Sequence, residues 1–123
     1  MKMNLADFIN SDVGNAWVFE PGLKYYVRKS LMFPGVIELA NCEAVPRTGN
    51  FGYWRFLKRY AATTPFMAEQ VINPALAALY ERQGWERRDL SGIPQYASPL
   101  MVERFQNDYR FLYLFRDIPF TPR

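Results

Sequence analysis

No histidine occurs among the 123 residues, and there is a single cysteine, Cys42. Ser-His-Asp and Cys-His catalysis therefore have no imidazole to act as base. One cysteine without histidine cannot make a structural zinc site, and no internal disulfide can form. The chain has no close Asp/Glu cluster of the kind that holds magnesium, so no metal is expected. No apolar run is as long as a membrane span, and the N-terminal "MKMNLADFIN" has no apolar stretch of the signal-peptide type. The simplest expectation is a cytoplasmic protein (host cytoplasm if it is phage-encoded) with no membrane partner. Whatever chemistry it performs must come from Glu, Asp, Tyr, Lys, backbone amides or ordered water.

What is present is apolar and aromatic. Half of the residues are hydrophobic and 17% are Phe, Trp or Tyr, enough for one domain, 1–123, to build its own core. The net charge is +3, with the basic residues spread along the chain, which suits an anionic ligand as well as a nucleic acid. "KYYVRK" (24–29) is the best stacking platform for single-stranded nucleic acid. A sheet face packing its aromatics explains it more simply, so a nucleic-acid partner is not expected.

The pattern divides into two halves. "NLADFINSD" reads as a short helix capped by Asn4 and ended by Gly14. Strands are predicted at 15–20, 23–32 and 36–45, joined by the turns "PG" and "FPG" as an antiparallel meander. A glycine-containing loop, 46–52, leads to a helix in which Tyr53, Phe56, Leu57 and Tyr60 share one face. Arg55, Lys58 and Arg59 share the other, a solvated face. A strand at 66–72, a helix over 73–85 and a strand at 85–90 follow. Ser98-Pro99 predicts a capped helix at 99–106. The aromatic run 109–118 reads as the last strand, with a helix as the competing assignment. The fold expected is α/β (α+β), a mixed sheet with helices packed on it.

Two stretches carry chemistry. In "VPRTGNFGYWRFLKRY" a strand passes through glycines into a helix, whose first N–H groups and positive dipole end suit a phosphate. Arg47 adds a charge-assisted contact. Neither a P-loop nor a dinucleotide fingerprint is present, and a turn that uses its glycines for backbone geometry alone fits equally. The second stretch is "NPALAALYERQGW" (73–85). Asn73 is an N-cap, Pro74 suits the first helical position, and Leu76, Leu79 and Tyr80 form a buried stripe. Gly84 suits the left-handed position after the helix, which folds Trp85 back onto Tyr80. Local physics accounts for every one of these residues.

The spacing of Asn73, Leu79, Tyr80, Gly84 and Trp85 also resembles the "N-x-x-A-x-x-L-Y-x-x-x-G-F" helix of the GNAT superfamily, the acetyl-CoA-dependent N-acetyltransferases. The order of elements over 36–90 resembles that family too. The resemblance implies a GNAT-like, mostly antiparallel sheet flanked by helices, with acetyl-CoA as cofactor and direct transfer of the acetyl group to an amine acceptor. The pyrophosphate loop would be Arg47, Thr48, Gly49, Asn50, Phe51 and Gly52. It departs from the family's "Q/R-x-x-G-x-G/A" at Asn50, with the glycine displaced to 49. A backbone N–H near Ala44 or Val45, at the splayed end of strand 36–45, would hold the acetyl carbonyl. Asn73 would contact the pantetheine arm, and Tyr80 would protonate the leaving thiolate.

Glu38 and Glu43 are the candidates for the base. Regular alternation places them on opposite faces, so only one can face the cleft, and a bulge would change which. Cys42 reads as a small buried hydrophobe rather than a nucleophile. Only about a dozen residues precede the meander, so the acceptor side is open, or completed by the C-terminal segment or by a second subunit of a homodimer. The alternative function is a GNAT-fold protein with little or no turnover that binds and regulates a protein partner, as a phage or mobile-element protein acting on a host enzyme would.

Overall fold

The computed structural model describes residues 3–20, 23–44, 57–69, 71, 74–90 and 92–119. Six strands form one sheet: β1 (Asn15–Glu20), β2 (Leu23–Lys29), β3 (Ile37–Ala44), β4 (Phe66–Ala68), β5 (Glu86–Leu90) and β6 (Ile93–Ala97). The helices are α1 (Leu5–Ile9), α2 (described over 57–61), α3 (Pro74–Arg82), α4 (Pro99–Phe105) and α5 (Tyr109–Arg116). The strand order is β1-β2-β3-β4-β6-β5. Strands β3 and β4 run parallel, and the other neighbours are antiparallel. The fold is thus mixed α+β on a mostly antiparallel sheet, as expected.

Strong local signals place several of these elements. Asn4 and Asp7 make a reciprocal capping box at α1, with Asp7 N–H donating to Asn4 Oδ1 at 2.8 Å. That helix ends at Ile9, well before Gly14. At the end of α3, Gly84 takes φ +81°. The Gly84 N–H bonds the Glu81 carbonyl and the Trp85 N–H bonds the Tyr80 carbonyl, each at 3.1 Å. This is the Schellman pattern, and it lays Trp85 on Tyr80 with ring centroids 4.5 Å apart. Ser98 caps α4 ahead of Pro99. Its buried hydroxyl also accepts the Phe66 N–H at 2.9 Å, pinning α4 to β4.

Three predicted strands are corrected and one strand is added. The run 109–118 is not the last strand: 109–116 is helical, with Asp108 as N-cap and Asp117 left-handed at φ 56° beyond it. Phe111 and Phe115, one turn apart, are buried and stacked with centroids 4.8 Å apart. The strand that completes the sheet is β6, which no expectation placed. It pairs antiparallel with β5 and inserts between β4 and β5, where the Pro94 carbonyl accepts the Val71 N–H at 2.9 Å. Strand 66–72 shortens to three residues because the chain after Glu69 leaves β3 for β6. Strand 23–32 stops at Lys29, where Ser30 Oγ accepts the N–H groups of Met32 and Phe33 and starts a tight loop.

Each face of the sheet has its own core. Helices α1, α2 and α3 cover one face, burying Leu5, Phe8, Leu57 and Tyr80 against Val18, Tyr25, Val27, Phe66 and Tyr96. Helices α4 and α5 cover part of the other, burying Met101, Phe111 and Phe115 against Phe33, Val36, Met67 and Ala97. The alternation along β2 sends Tyr25 and Val27 to the first core and leaves Lys24, Tyr26 and Arg28 on the second face.

Candidate functional site

The site begins with an irregularity in β3. Val27 pairs with Leu39 and Tyr26 with Asn41, so Ala40 has no partner on β2. This is a β-bulge, which bends the strand that carries it. The pairing of β3 with β4 ends at the same point: it covers Ile37–Leu39 and Phe66–Ala68, followed by a bond from the Glu69 N–H to the Leu39 carbonyl at 3.1 Å. Beyond it, among the described residues, the two parallel strands part. The backbone of 40–44 lies along one side of the opening, and on the other side the Val71 N–H is bonded to the Pro94 carbonyl instead of to β3.

The bulge also changes the phase of β3. Position 38 pairs with Arg28 and position 43 with Lys24, four residues apart on β2. Positions 38 and 43 therefore share one sheet face, and the expectation of opposite faces fails because one extra residue stands between them.

At the opening, on that face, three charged side chains meet. Arg28 Nε donates to Glu38 Oε1 at 3.2 Å, and its Nη2 donates to Glu69. The guanidinium thus bridges two carboxylates from neighbouring strands. Burial raises the Glu69 carboxyl above its ordinary range; the adjacent Glu38 charge pushes the same way and Arg28 opposes both. Alongside, Trp17 and Tyr26 pair edge to face with centroids 5.5 Å apart, and the Lys24 ammonium lies 4.9 Å from the Trp17 ring centre. Arg28 is thereby held by carboxylates rather than offered to a phosphate.

Tyr80 lies on the opposite face. It is 1% exposed, in an aromatic cluster with Trp85 and with Tyr96, whose centroid is 5.3 Å away. The sheet separates it from Glu38 and Glu69. Glu43 and Ala44 are placed at the level of the β3 backbone, along the opening. Val45, Arg47, Thr48, Gly49, Asn50, Phe51, Gly52 and Asn73 lie outside the described residues. Arg28 and Glu69 are the residues that sequence reasoning missed. They are 41 positions apart, and no spacing rule links them; only the β2-β3-β4 pairing brings them together.

A second cleft, of about 370 Å³, lies at the other end of β3 and is lined by Lys29, Thr63, Thr64 and Arg104 among others. The Lys29 ammonium there is engaged by the Ser11 carbonyl. Among the described residues no group of three or more His, Cys, Asp or Glu could hold a metal ion, and no helix is long and apolar enough to cross a membrane.

Fold and site together define a small mixed α+β protein whose sheet opens between two parallel strands beside a carboxylate–guanidinium–carboxylate bridge. Comparison of the chain with protein-family models, with curated proteins and with solved structures finds no match in any of the three.

Proposed function

We propose that the chain is an acetyl-CoA-dependent N-acetyltransferase of GNAT type that acts on an amine. The observation that carries this reading is the parting of β3 and β4 at the Ala40 bulge. Past Leu39, among the described residues, no strand pairs with β3 on the β4 side. The helix with Tyr80 follows directly, in the order the sequence resemblance implies. The unpaired β3 backbone fits the pantetheine arm of acetyl-CoA, an extended chain of amides that pairs as a strand would.

In this reading the acceptor approaches over the open face that carries Trp17 and Tyr26. Its ammonium gives a proton to Glu69, whose raised pKa makes it a better base at neutral pH than an ordinary carboxylate. Arg28 and Glu38 hold Glu69 in place. The amine nitrogen then bonds to the thioester carbon as the carbon–sulfur bond breaks, with a β3 backbone N–H near Ala44 or Val45 stabilising the oxygen. Tyr80 delivers the proton that the departing thiolate takes up, and its phenolate regains through solvent the second proton that the nitrogen sheds on becoming an amide. Glu69 replaces Glu38 and Glu43 as the preferred base because it is the carboxylate at the lip of the opening.

Isothermal titration with acetyl-CoA tests the reading; absence of binding sinks it. In an acetylation assay with amine acceptors, E69Q is expected to lower kcat by roughly 10²- to 10⁴-fold, the usual contribution of a general base. Y80F is expected to lower kcat with little change in acetyl-CoA affinity. A second reading, a binding protein without turnover, is favoured by the enclosure of Tyr80 between Trp85 and Tyr96. Acetyl-CoA binding with no acetylation of any amine acceptor would select it.

A further inference from the structure

The loop between β2 and β3 ends in an apolar tip. The two bonds to Ser30 Oγ and the positive φ of Gly35 make it tight, so Phe33 is driven into the core while Leu31 is left fully exposed. Beside the tip runs an apolar groove of about 610 Å³, lined by Met32, Tyr109, Arg110, Tyr113, Leu114 and Pro119. Arg110 donates to the Met32 carbonyl and its guanidinium lies 5.6 Å from the Phe33 ring centre, so tip and groove are fastened together.

Most of the large hydrophobic side chains exposed among the described residues belong to this end: Leu31, Met32, Tyr109, Tyr113 and Ile118. Leu31 is fully exposed and the other four are about half exposed, so with large side chains of about 150–250 Å² the patch amounts to roughly 500 Å², at the upper end of what a monomer leaves exposed. One side of a standard interface is about 800 Å², and about 65% of a homodimer interface is apolar, which gives the same area. The charges around the patch cancel within the protomer: Arg88 with Asp117, Arg116 with Glu86, Arg110 with Asp108. Among the described residues these pairs leave no field that selects an anionic or cationic partner, so two copies meet there without like-charge repulsion.

A fully exposed leucine beside an apolar groove is a self-complementary surface. We propose that this end pairs with the same end of a second copy about a two-fold axis, each Leu31 seated in the other protomer's groove. The contact goes beyond the acetyl-transfer reading and does not depend on it, since loop 30–36 precedes β3 and the opening lies after Ala40.

Sedimentation equilibrium on the full chain tests it. The wild type is expected to dimerise with a micromolar Kd. L31D, which alters a side chain that touches no core, is expected to raise Kd by about 30-fold or more, as loss of a central anchor does. Y113K, in the groove, is expected to act likewise, and L31M to dimerise as the wild type. Unchanged circular dichroism and thermal midpoint of L31D show that the fold is intact. A wild type monomeric at several hundred micromolar, a dimer indifferent to L31D, or open-ended oligomers in place of a closed dimer would each overturn the proposal.

Discussion

Glu69 has a consequence for stability as well as for catalysis. Its carboxyl is raised chiefly by burial and then by Glu38. The folded chain therefore keeps a proton that the unfolded chain has released. The stability this contributes is complete below the ordinary carboxylate pKa and is lost as pH rises through the raised value. Relative to E69Q, the wild type is expected to lose stability from about pH 4 upward, read as the urea midpoint against pH. Asp108 has the opposite sign. Hydrogen bonds from the Arg110 side chain hold its carboxyl below the usual range, so its contribution is present at neutral pH and lost as pH falls. D108N keeps the cap on α5 and should flatten that acid limb; an unchanged limb would show that Asp108 does not set it.

At the scale of elements, the capped ends are the parts most open to direct test. Gly84 has open space around its missing Cβ, so G84A is opposed by the left-handed backbone alone and should cost about 1–2 kcal/mol. D108A removes an N-cap and should cost about 1 kcal/mol, measured by the same urea titration. The Asn4 start of α1, the Ser98 start of α4 and the Gly84 end of α3 were legible in the sequence because each depends on neighbours within one turn. Strand β6 was not legible. "IPQYA" is five residues long and contains a proline, and it becomes a strand because β4 and β5 both present it with backbone partners. Helix α5 was misread because its aromatic content mimics strand propensity. Its period was the better guide: Phe111, Leu114 and Phe115 fall on one face, behind the Asp108 cap.

For the whole molecule, α4 and α5 are the helices that pack on the second face of the sheet among the described residues. Phe111 is fully buried there, and F111A is expected to cost roughly 3–5 kcal/mol and to expose Met67 and Ala97. Hydrogen exchange should show α4 and α5 opening together while the meander stays protected. Uniform exchange across the chain would show instead that the two cores unfold as one.

Periodicity, caps and turn residues in the chain were sufficient to specify the meander, the helix that carries Tyr80 with its Trp85 clasp and the mixed character of the sheet, because these follow from interactions a few residues long. Tertiary pairing alone decided where the sheet opens, that positions 38 and 43 share a face, and that Arg28, Glu38 and Glu69 meet. A bulge is a mismatch between two strands, and a cross-strand ion pair depends on the order in which strands assemble. Neither is written in the spacing of any one segment.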